Sequence, residues 1–299
     1  MQDEKDATLL SVAMIVKNEE KDLPDCLESI INLSDQIVIV DTGSTDNSKE
    51  IALNYGAEVY DFMWCDDFAM ARNESLKYAV GQWILYIDAD ERLSPDSQIF
   101  IRNLISTAKP EVGGFITSIV SKYIEDDGSL ATYKGKYPRL FRNLGYPDLH
   151  FFGKIHEQIS PSIYEKGFDI IESEIVIIHE GYAISKAEMN LKVGKNLNIL
   201  SEHVRKEPEN AFSWYQLGNT LYQMKIYDRA IECLENALKC GNLTKFLSAN
   251  TSLALANMYL SKKQTLVARK CCELALLYIP DFHAAKVLLN HIATLNKSK

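Results

Sequence analysis

The stretch WILYIDADER, residues 83–92, runs through five apolar or aromatic side chains and then places three acids within four positions. Its apolar part is short and rich in aromatic and β-branched residues, which is typical of a buried strand. Residues 88 and 90 of an extended segment project to the same side, and their like charges repel unless a cation or a proton intervenes. A solvated acidic turn is the alternative, because such turns are common. The stretch therefore predicts a buried strand that ends in such a turn or in a functional site.

Short strand-like runs alternate with segments of helical spacing through the first part of the chain. The pattern predicts strands over residues 9–16, 36–40, 57–62 and 83–87, a helix between the first two strands, and helices over residues 69–79 and from Ser94 to near Ser106. Ser94 supplies an N-cap for the last helix, and Pro95 supplies its first-turn proline. This order predicts an α/β domain with a mostly parallel sheet. Such sheets bind ligands beyond the carboxyl ends of their strands, where the acids after residue 87 lie.

Composition sets the broad class of the protein. The chain has 299 residues, of which 46% are hydrophobic and 24% charged, so it can form one large domain or two. No apolar run reaches the roughly 18 residues of a spanning helix, and the first residues lack the basic and apolar segments of a signal peptide. The six cysteines form no CxxC pair, which favours reduced thiols. We therefore expect a cytoplasmic protein without a membrane span.

Charge divides the chain into two parts. Residues 1–185 hold 16 Lys and Arg against 32 Asp and Glu, whereas residues 186–299 hold 16 against 9. The net charges of −16 and +7 predict two domains with this boundary and with different partners. The basic part contains no run of Lys or Arg longer than two residues, so we expect no nucleic-acid binding.

The acids after the fourth predicted strand are oxygen ligands of the type that Mg²⁺ and Mn²⁺ prefer when they bridge carboxylates to phosphates. Further polar segments follow other predicted strands or lie in loops: MIVKNEE (14–20), VDTGSTDNS (40–48), DDFAMARN (66–73) and IIHEGY (177–182). With this combination of motifs, residues 10–182 resemble the family 2 glycosyltransferases, which have the nucleotide-sugar-binding GT-A fold. The resemblance implies a metal-dependent transferase that uses a nucleotide sugar.

The resemblance also implies which residues hold the nucleotide. In that family, the loop after the first strand and an Asp-rich turn after the second strand bind the base and the ribose. Many relatives have two acids before the glycine of this turn, whereas this chain has Asp41 and Thr42. A UDP-sugar is the implied donor. The implied nucleotide-sugar-binding residues are Val16, Asn18, Glu19, Asp41, Gly43, Ser44, Arg72, Asp88 and Ala89, together with Glu20 and Asp46 of the same loops. For Arg72, a surface charge on a helix is the alternative.

A divalent cation is implied by the same resemblance. Asp88 matches the first Asp of the family motif, near ribose and metal, and Asp90 matches the main metal ligand. His179, at the end of an apolar strand, matches a late histidine that completes the coordination sphere. A lone buried histidine is more often a structural residue, which is the alternative for His179. The cation, Mg²⁺ or Mn²⁺, stabilises the charge that develops on the departing diphosphate.

Family 2 resemblance further implies inversion at the anomeric carbon, which requires a base for the acceptor's proton. The segment FFGKIHEQI, residues 151–159, offers His156 and Glu157, and we predict Glu157 as the base. A charge on an exposed strand is the alternative for Glu157, and Asp66 and Asp67 are competing candidates. Two arginines of the segment PRLFRN that could meet acceptor or phosphate, or could form surface salt bridges, are Arg139 and Arg142.

From about residue 186 the pattern becomes helical. Trp214, Leu217, Gly218, Ala230, Leu234 and Ala237 fit the tetratricopeptide pattern, in which small residues let paired helices approach. A second copy follows at an offset of 38, with Ala256, Tyr259, Ala268, Cys272, Ala275 and Pro280. A preceding helix is predicted over Lys186–Lys206 and a closing helix over residues 283–295. The chain thus predicts an α/β domain followed by an all-α repeat domain.

Stacked helix pairs form a concave face that suits extended peptides. A GT-A domain followed by such repeats is similar to bacterial enzymes that glycosylate peptides or proteins, including a bacteriocin cysteine and flagellin. The resemblance therefore implies a Ser, Thr or Cys side chain of a polypeptide as the acceptor. A polysaccharide or lipid-linked glycan acceptor is one alternative, and a non-catalytic nucleotide-sugar-binding adaptor is another. The repeats could also mediate a homodimer.

Two further enzyme classes fit the sequence less well. A retaining glycosidase also uses paired carboxylates, but it has no use for nucleotide-binding loops. A nucleotidyltransferase also combines carboxylates with a parallel sheet, but no Gly-rich phosphate loop follows Val16.

Overall fold

The structure is a computed structural model that describes residues 9–124, 129–155, 157–180 and 186–297. The chain divides into two compact units, Met1–Met189 and Asn190–Lys299. The domain boundary that the sequence places after residue 185 stays a prediction. None of the described helices is long and apolar enough to cross a membrane.

The first unit is built around one sheet with helices between most of its strands. Its elements are β1 (Leu10–Val16), α1 (Leu23–Ile30), β2 (Gln36–Asp41), α2 (Ser48–Asn54), β3 (Glu58–Asp61), α3 (Phe68–Tyr78), β4 (Trp83–Tyr86), β5 (Glu91–Leu93), α4 (Pro95–Ser106), β6 (Val112–Ile124), β7 (Leu130–Arg142), α5 (Ser160–Glu165) and β8 (Asp169–His179). The strand order is β3-β2-β1-β4-β7-β6-β8-β5. Strands β3, β2, β1 and β4 are mutually parallel, as are β6 and β8. Strand β7 runs antiparallel to its neighbours β4 and β6, and β5 runs antiparallel to its neighbour β8. The predicted α/β class with a mostly parallel sheet is confirmed.

Strand β4 is buried on both faces of this sheet. Trp83 and Leu85 join the core cluster on one face, whereas Ile84 and Tyr86 join the cluster on the other. This alternation explains why the strand reads as a continuous apolar run, since a parallel strand covered on both sides needs apolar residues at every position. The same phase carries Asp88, two residues after Tyr86, towards the face on which Tyr86 lies.

The chain between β4 and β5 crosses to the far edge of the sheet. Strand β4 lies in the middle of the strand order, but β5 pairs only with β8, with Glu91 opposite His179. The backbone N–H of Glu180 donates to the carbonyl of Asp90 at 3.0 Å and extends this pairing by one step. The crossing therefore brings the acids after β4 to the carboxyl end of β8.

Most elements of this unit agree with the sequence prediction. Helix α4 begins at Pro95, and the Ser94 hydroxyl accepts a hydrogen bond from the N–H of Ser97, as expected for an N-cap. The sequence pattern did not predict the seven-residue α2 or the long antiparallel hairpin of β6 and β7. Helix α2 is too short to show helical periodicity, and the sequences of β6 and β7 lack the strict alternation of apolar and polar residues that marks a half-buried strand.

The second unit consists of helices. They are α6 (Lys186–Lys206), which begins at the end of the first unit, α7 (Ala211–Gln223), α8 (Tyr227–Cys240), α9 (Lys245–Ser261), α10 (Thr265–Tyr278) and α11 (His283–Lys297). Helices α7 and α8 form one pair and α9 and α10 a second, at the positions predicted for two repeats. A Cβ added to Gly218 would lie 2.7 Å from the Leu234 side chain, so glycine is required where the paired helices meet. The predicted repeat architecture is confirmed.

Candidate active site

Asp88 lies at the centre of a group of charged side chains on the Tyr86 face of the sheet. Its Oδ1 accepts a hydrogen bond from Arg72 Nη2 at 2.7 Å, and its Oδ2 accepts from both terminal nitrogens of Arg139 at 3.3 Å. Arg139 also donates to Glu91 at 2.8 Å, and Arg72 Nε donates to Glu157. The side chains of Arg72, Arg139 and Glu91 are buried. We call these five residues the arginine cluster.

Tyr86 forms the floor of the arginine cluster. The guanidinium carbon of Arg72 lies 4.8 Å from the centroid of its ring, and that of Arg139 lies 4.2 Å away. Desolvated contacts between a cation and an aromatic face are attractive, and they fix the planes of both guanidinium groups. Burial raises the pKa of the Tyr86 phenol to about 12, so the ring stays neutral at physiological pH. The apolar strand β4 thus ends in an aromatic ring that contacts the guanidinium groups of two arginines.

The charges of the arginine cluster are nearly balanced. Although burial alone would raise it, the pKa of Asp88 is held well below its usual range by Arg72 and Arg139. Burial raises the pKa of Glu91 to about 7, and the negative charge of Asp88 adds to this effect against the pull of Arg139. The two arginines face the carboxyl groups of Asp88, Glu157 and Glu91. The cluster therefore tolerates burial because its cations and anions are matched.

Two donors of the arginine cluster remain without partners. Arg72 Nη1 and Arg139 Nε are buried and have no hydrogen-bond partner among the described residues. Leaving such a buried charged donor unpaired costs free energy that an anionic ligand can recover. These two nitrogens are therefore candidates for contact with a phosphate.

Asp90 and His179 form a second group next to the arginine cluster. The Asp90 Oδ2 lies 2.9 Å from His179 Nε2, and His179 Nδ1 lies 3.2 Å from the Ser121 hydroxyl. The hydrogen bond with Asp90 raises the pKa of His179. Burial, together with the negative charge of Asp90, raises the pKa of Glu19 to about 7. We call Glu19, Asp90 and His179 the acidic cluster, because no arginine or lysine of the described residues forms an ion pair with Glu19 or Asp90.

The three residues predicted as metal ligands are divided between these clusters. Both oxygens of Asp88 accept hydrogen bonds from arginines, whereas Asp90 and His179 face each other. Within the described ranges, no group of three or more His, Cys, Asp and Glu side chains is placed to hold a metal ion. One carboxylate, one imidazole and the uncompensated charge of Glu19 fit a divalent cation whose other ligands are phosphate oxygens and water. The donor set therefore fits Mg²⁺ or Mn²⁺ at Asp90 and His179.

The two predicted nucleotide loops are joined by hydrogen bonds. The N–H of Asn18 donates to the Ser44 hydroxyl at 2.9 Å, and the Asn18 side chain accepts from the N–H of Thr45 at 2.8 Å. The N–H of Glu20 donates to Asp46 at 3.1 Å. Asn18 has a φ of 58°, a left-handed conformation that asparagine tolerates better than most residues. The residues that the sequence assigns to one nucleotide site thus come together at the ends of β1 and β2.

Asp41 is the buried residue at the base of these loops. Its Oδ1 accepts hydrogen bonds from the N–H groups of Gly43 and Ser44, both at 2.9 Å. Its Oδ2 is buried and has no hydrogen-bond partner in the part of the chain that the structure describes. Thr42, which replaces the second acid of many relatives, donates its hydroxyl to the carbonyl of Val16 at 3.0 Å. One acceptor therefore remains for a ligand at this position, and Thr42 joins the two strands.

The candidate bases differ in their surroundings. Glu157 has one oxygen bound to Arg72, and it lies within the arginine cluster. Asp66 accepts from the Trp64 indole N–H at 2.9 Å, and Asp67 caps α3 by accepting from the N–H of Met70. His156 lies outside the described residues. Glu157 is the candidate that the structure brings to Asp88, and its role as base stays a prediction.

The two arginines of the segment PRLFRN have different roles. Arg139 belongs to the arginine cluster, so it is not a surface charge. Arg142 donates to the carbonyl of Val112 at 2.7 Å and lies over the Trp83 ring at 4.6 Å. It therefore supports the sheet on the opposite face and does not reach the two clusters. These partners are neither the acceptor or phosphate nor the surface salt bridge that the sequence left open for Arg142.

Sequence reasoning missed three residues of the site. In the sequence, Glu91 is one of three neighbouring acids and Tyr86 is one of several apolar or aromatic residues of a strand, so neither stands out as a site residue. Ser121 lies in a hairpin that was not predicted. The alternation of β4 would have placed Tyr86 and Asp88 on one face, but no local signal marks Ser121. It meets His179 only through the register between β6 and β8.

The sequence matches two family models. Glycosyl transferase family 2 matches residues 11–161, and the Tetratricopeptide repeat matches residues 211–240. A TPR repeat-containing protein of Synechococcus elongatus is 31% identical over 238 residues, which cover 78% of this chain and 57% of that protein. The glycosyltransferase SunS of Bacillus phage SPbeta is 29% identical over 250 residues, which cover 82% of this chain and 56% of SunS. The chain thus spans little more than half the length of these relatives.

Solved structures resemble the chain at lower identity. Staphylococcus aureus TarS, residues 1–349 in complex with UDP-GlcNAc, has a TM-score of 0.49 and 15% identity, with 96% of this chain and 92% of that chain covered. The mannosyltransferase PcManGT from Pyrobaculum calidifontis, in complex with GDP-Man and Mn²⁺, has a TM-score of 0.46 and 18% identity, with 94% and 87% covered.

Proposed function

Because the chain belongs to glycosyl transferase family 2, we propose that it transfers a sugar from a UDP-sugar to a Ser, Thr or Cys side chain of a polypeptide, with inversion at the anomeric carbon. The observation that carries this proposal is the pairing of Asp90 with His179 beside the arginine cluster. Asp90, which pairs with His179, and Asp88, which holds the guanidinium groups of Arg72 and Arg139, then lie two positions apart on the segment between β4 and β5. A departing diphosphate requires both kinds of group.

The donor's nucleotide binds at the joined loops after β1 and β2. The free Oδ2 of Asp41 accepts a hydrogen bond from the base or ribose, and the Asn18 loop supplies the opposite wall. The free N–H groups of Arg72 and Arg139 donate to the diphosphate. These assignments use the buried polar atoms that lack partners among the described residues, and an unpaired buried group is costly unless a ligand satisfies it.

Asp90 and His179 would hold the divalent cation, Mg²⁺ or Mn²⁺. When bound, the cation supplies a positive charge that stabilises the departing nucleoside diphosphate. Ser121 orients the His179 ring through Nδ1, so that Nε2 faces Asp90, and in this orientation Nε2 would be available as a metal ligand. Asp88 contributes differently from the predicted ligand role, since it holds Arg72 and Arg139 in place.

Glu157 accepts the proton of the acceptor side chain. One of its oxygens accepts a hydrogen bond from Arg72, which holds the carboxylate in place. As the acceptor's oxygen or sulfur bonds to the anomeric carbon, the bond from this carbon to the diphosphate oxygen breaks. The leaving group takes the electron pair, and the acceptor's proton passes to Glu157. A fixed carboxylate near the attacking atom suits this role.

A polypeptide acceptor is supported by the helical repeats. Repeat units of this type offer extended surfaces for peptides, and residues 186–299 carry a net charge of +7. A glycan or lipid-linked acceptor remains the second candidate for the same chemistry. A nucleotide-sugar-binding adaptor is the candidate outside the enzyme class.

The proposal is tested with purified protein and a panel of nucleotide sugars in Mn²⁺. A donor is expected to raise the melting temperature by mass action and to release its nucleoside diphosphate slowly. Mass spectrometry of Ser-, Thr- and Cys-containing peptides is expected to show transfer. A donor that binds without any release would identify the adaptor, and transfer only to glycans or lipids would remove the polypeptide acceptor. Glu157→Gln is expected to lower transfer by about 10²-fold or more, with a smaller loss of donor binding because Arg72 keeps Asp88 as a partner.

A further inference from the structure

The segment between β3 and α3 and the first turn of α3 expose large apolar side chains. Met63 is 91% exposed, Met70 52% and Phe68 38%, and Trp64 is half-buried beside them. We call Met63, Trp64, Phe68 and Met70 the methionine shelf. Exposed apolar side chains that are grouped on a protein surface are a sign of an interaction site.

The centre of the methionine shelf is held by contacts between its own residues, and a methionine lies at each end. The Trp64 and Phe68 rings meet edge to face with centroids 4.8 Å apart, and the Trp64 indole N–H donates to Asp66. Asp66 adopts a φ of 57°, which turns the chain sharply before α3. Methionine side chains have three rotatable bonds and adapt to partners of different shape. The shelf therefore combines a rigid aromatic platform with two adaptable contacts.

The methionine shelf adjoins the candidate base. The N–H of Phe68 donates to the carbonyl of Lys154 at 2.9 Å, which ties the start of α3 to the segment that carries Glu157. One helical turn further along α3, Arg72 binds Glu157 itself. The shelf thus forms part of the rim around the place where the acceptor's proton is taken.

We propose that the methionine shelf binds an apolar side chain of the polypeptide acceptor, close in sequence to the residue that receives the sugar. This inference rests on the proposed function and specifies its acceptor. The side chains of the shelf are apolar, and the indole N–H of Trp64, their one strong donor, is already bound to Asp66, so this surface favours an apolar group over a polar one. A peptide side chain such as Leu, Ile, Phe or Met loses water favourably on such a surface. The negative charges of Asp66 and Asp67 border the shelf and disfavour an acidic peptide.

The experiment uses a library of nine-residue peptides with a central Ser, Thr or Cys and randomised flanks. The full chain is incubated with this library, Mn²⁺ and the donor found in the nucleotide-sugar panel, and the glycosylated peptides are sequenced by mass spectrometry. We expect apolar residues to be enriched within three positions of the acceptor. The double substitution Met63→Ser and Met70→Ser is expected to raise KM for a preferred peptide by about tenfold, without changing donor hydrolysis in the absence of peptide. Ile99→Ser, at an 81% exposed position on α4, is the matched control and is expected to leave both values unchanged.

The outcomes separate this inference from the function on which it rests. Glycosylated peptides without an apolar preference, or an unchanged KM in the double variant, would overturn the methionine shelf as an acceptor site and leave the transferase intact. Transfer to glycans alone would overturn both the shelf and the polypeptide acceptor. Absence of donor hydrolysis and of all transfer would overturn the proposed function, and the shelf would fall with it.

Discussion

The arginine cluster and the acidic cluster begin at two carboxylates separated by one residue, yet they are built in opposite ways. The Asp88 side chain is 32% exposed and that of Asp90 is 36% exposed, so burial does not distinguish them. Asp88 has two arginines as partners, whereas Asp90 faces a histidine and lies near Glu19. The difference teaches that partners, not exposure, decide which acid of the pair is left to bind a cation.

The largest effect is expected at Asp90. Asp90→Asn removes the charge that would fix the cation but keeps the size of the side chain, so we expect nucleoside diphosphate release to fall by about 10³-fold. Release is measured at saturating donor and Mn²⁺. Asp96→Asn, an exposed acid in the first turn of α4, is the control and is expected to retain full activity. Substantial release by Asp90→Asn would place the cation elsewhere.

A substitution of Arg139 tests how much the ion pairs of the arginine cluster stabilise the protein. Arg139→Ala leaves Asp88 and Glu91 without one of their cations, and breaking a buried pair in this way costs about 3 kcal/mol of stability. Urea denaturation at pH 8 measures the change in the free energy of unfolding. Arg102→Ala, which breaks an exposed pair with Asp35, is expected to cost under about 1 kcal/mol. Equal costs for the two substitutions would mean that the arginine cluster is no more than a surface feature.

Ser121 sharpens the role of His179. Ser121→Ala removes the partner of His179 Nδ1 and lets the ring rotate, so we expect Mn²⁺ affinity to fall by about tenfold. The affinity is measured by electron paramagnetic resonance titration of free Mn²⁺ in the presence of UDP. Ser121→Thr, which keeps the hydroxyl, is expected to restore most of the affinity. An unchanged affinity in Ser121→Ala would show that the ring needs no support.

The smallest effect concerns the charge of Glu19. Its pKa in the folded protein, about 7, lies above the ordinary value of 4.5, so the folded state binds more protons between these values and stability falls as pH rises through this window. Glu19→Gln is expected to flatten this fall and to add about 1 kcal/mol at pH 8, after allowance for partial exposure. Thermal unfolding between pH 5 and pH 8 measures it. A steeper pH dependence in the variant would contradict the account of the acidic cluster.

The sequence was sufficient for features with a local cause. The apolar run of β4, the Ser94 cap of α4 and the spacing of Gly218 and Ala230 each follow from neighbouring residues. Resemblance to a known family brought Asp90 and His179 together in advance, although 89 positions separate them. These features are the ones for which periodicity, capping and motif carry a physical signal.

The arginine cluster could not be predicted from local sequence patterns. Arg139 reaches Asp88 across 51 positions and through the antiparallel pairing of β7 with β4, which no local pattern predicted. Arg72 was assigned to the nucleotide by resemblance, but the neighbouring residues in the sequence did not indicate that it would bind both Asp88 and Glu157. Ion pairs that form only through sheet register depend on the whole fold. The partner of a charged residue therefore cannot be identified from the sequence around it.

The most direct measurement compares Mn²⁺ and UDP binding in two variants, Asp88→Asn and Asp90→Asn. With UDP present, Asp90→Asn is predicted to lose Mn²⁺ binding, whereas Asp88→Asn is predicted to keep Mn²⁺ binding at Asp90 and His179 but to bind UDP more weakly because its arginines are no longer held. Mn²⁺ is followed by electron paramagnetic resonance and UDP by calorimetry. Loss of Mn²⁺ binding in Asp88→Asn together with its retention in Asp90→Asn would contradict the division of the site into two clusters.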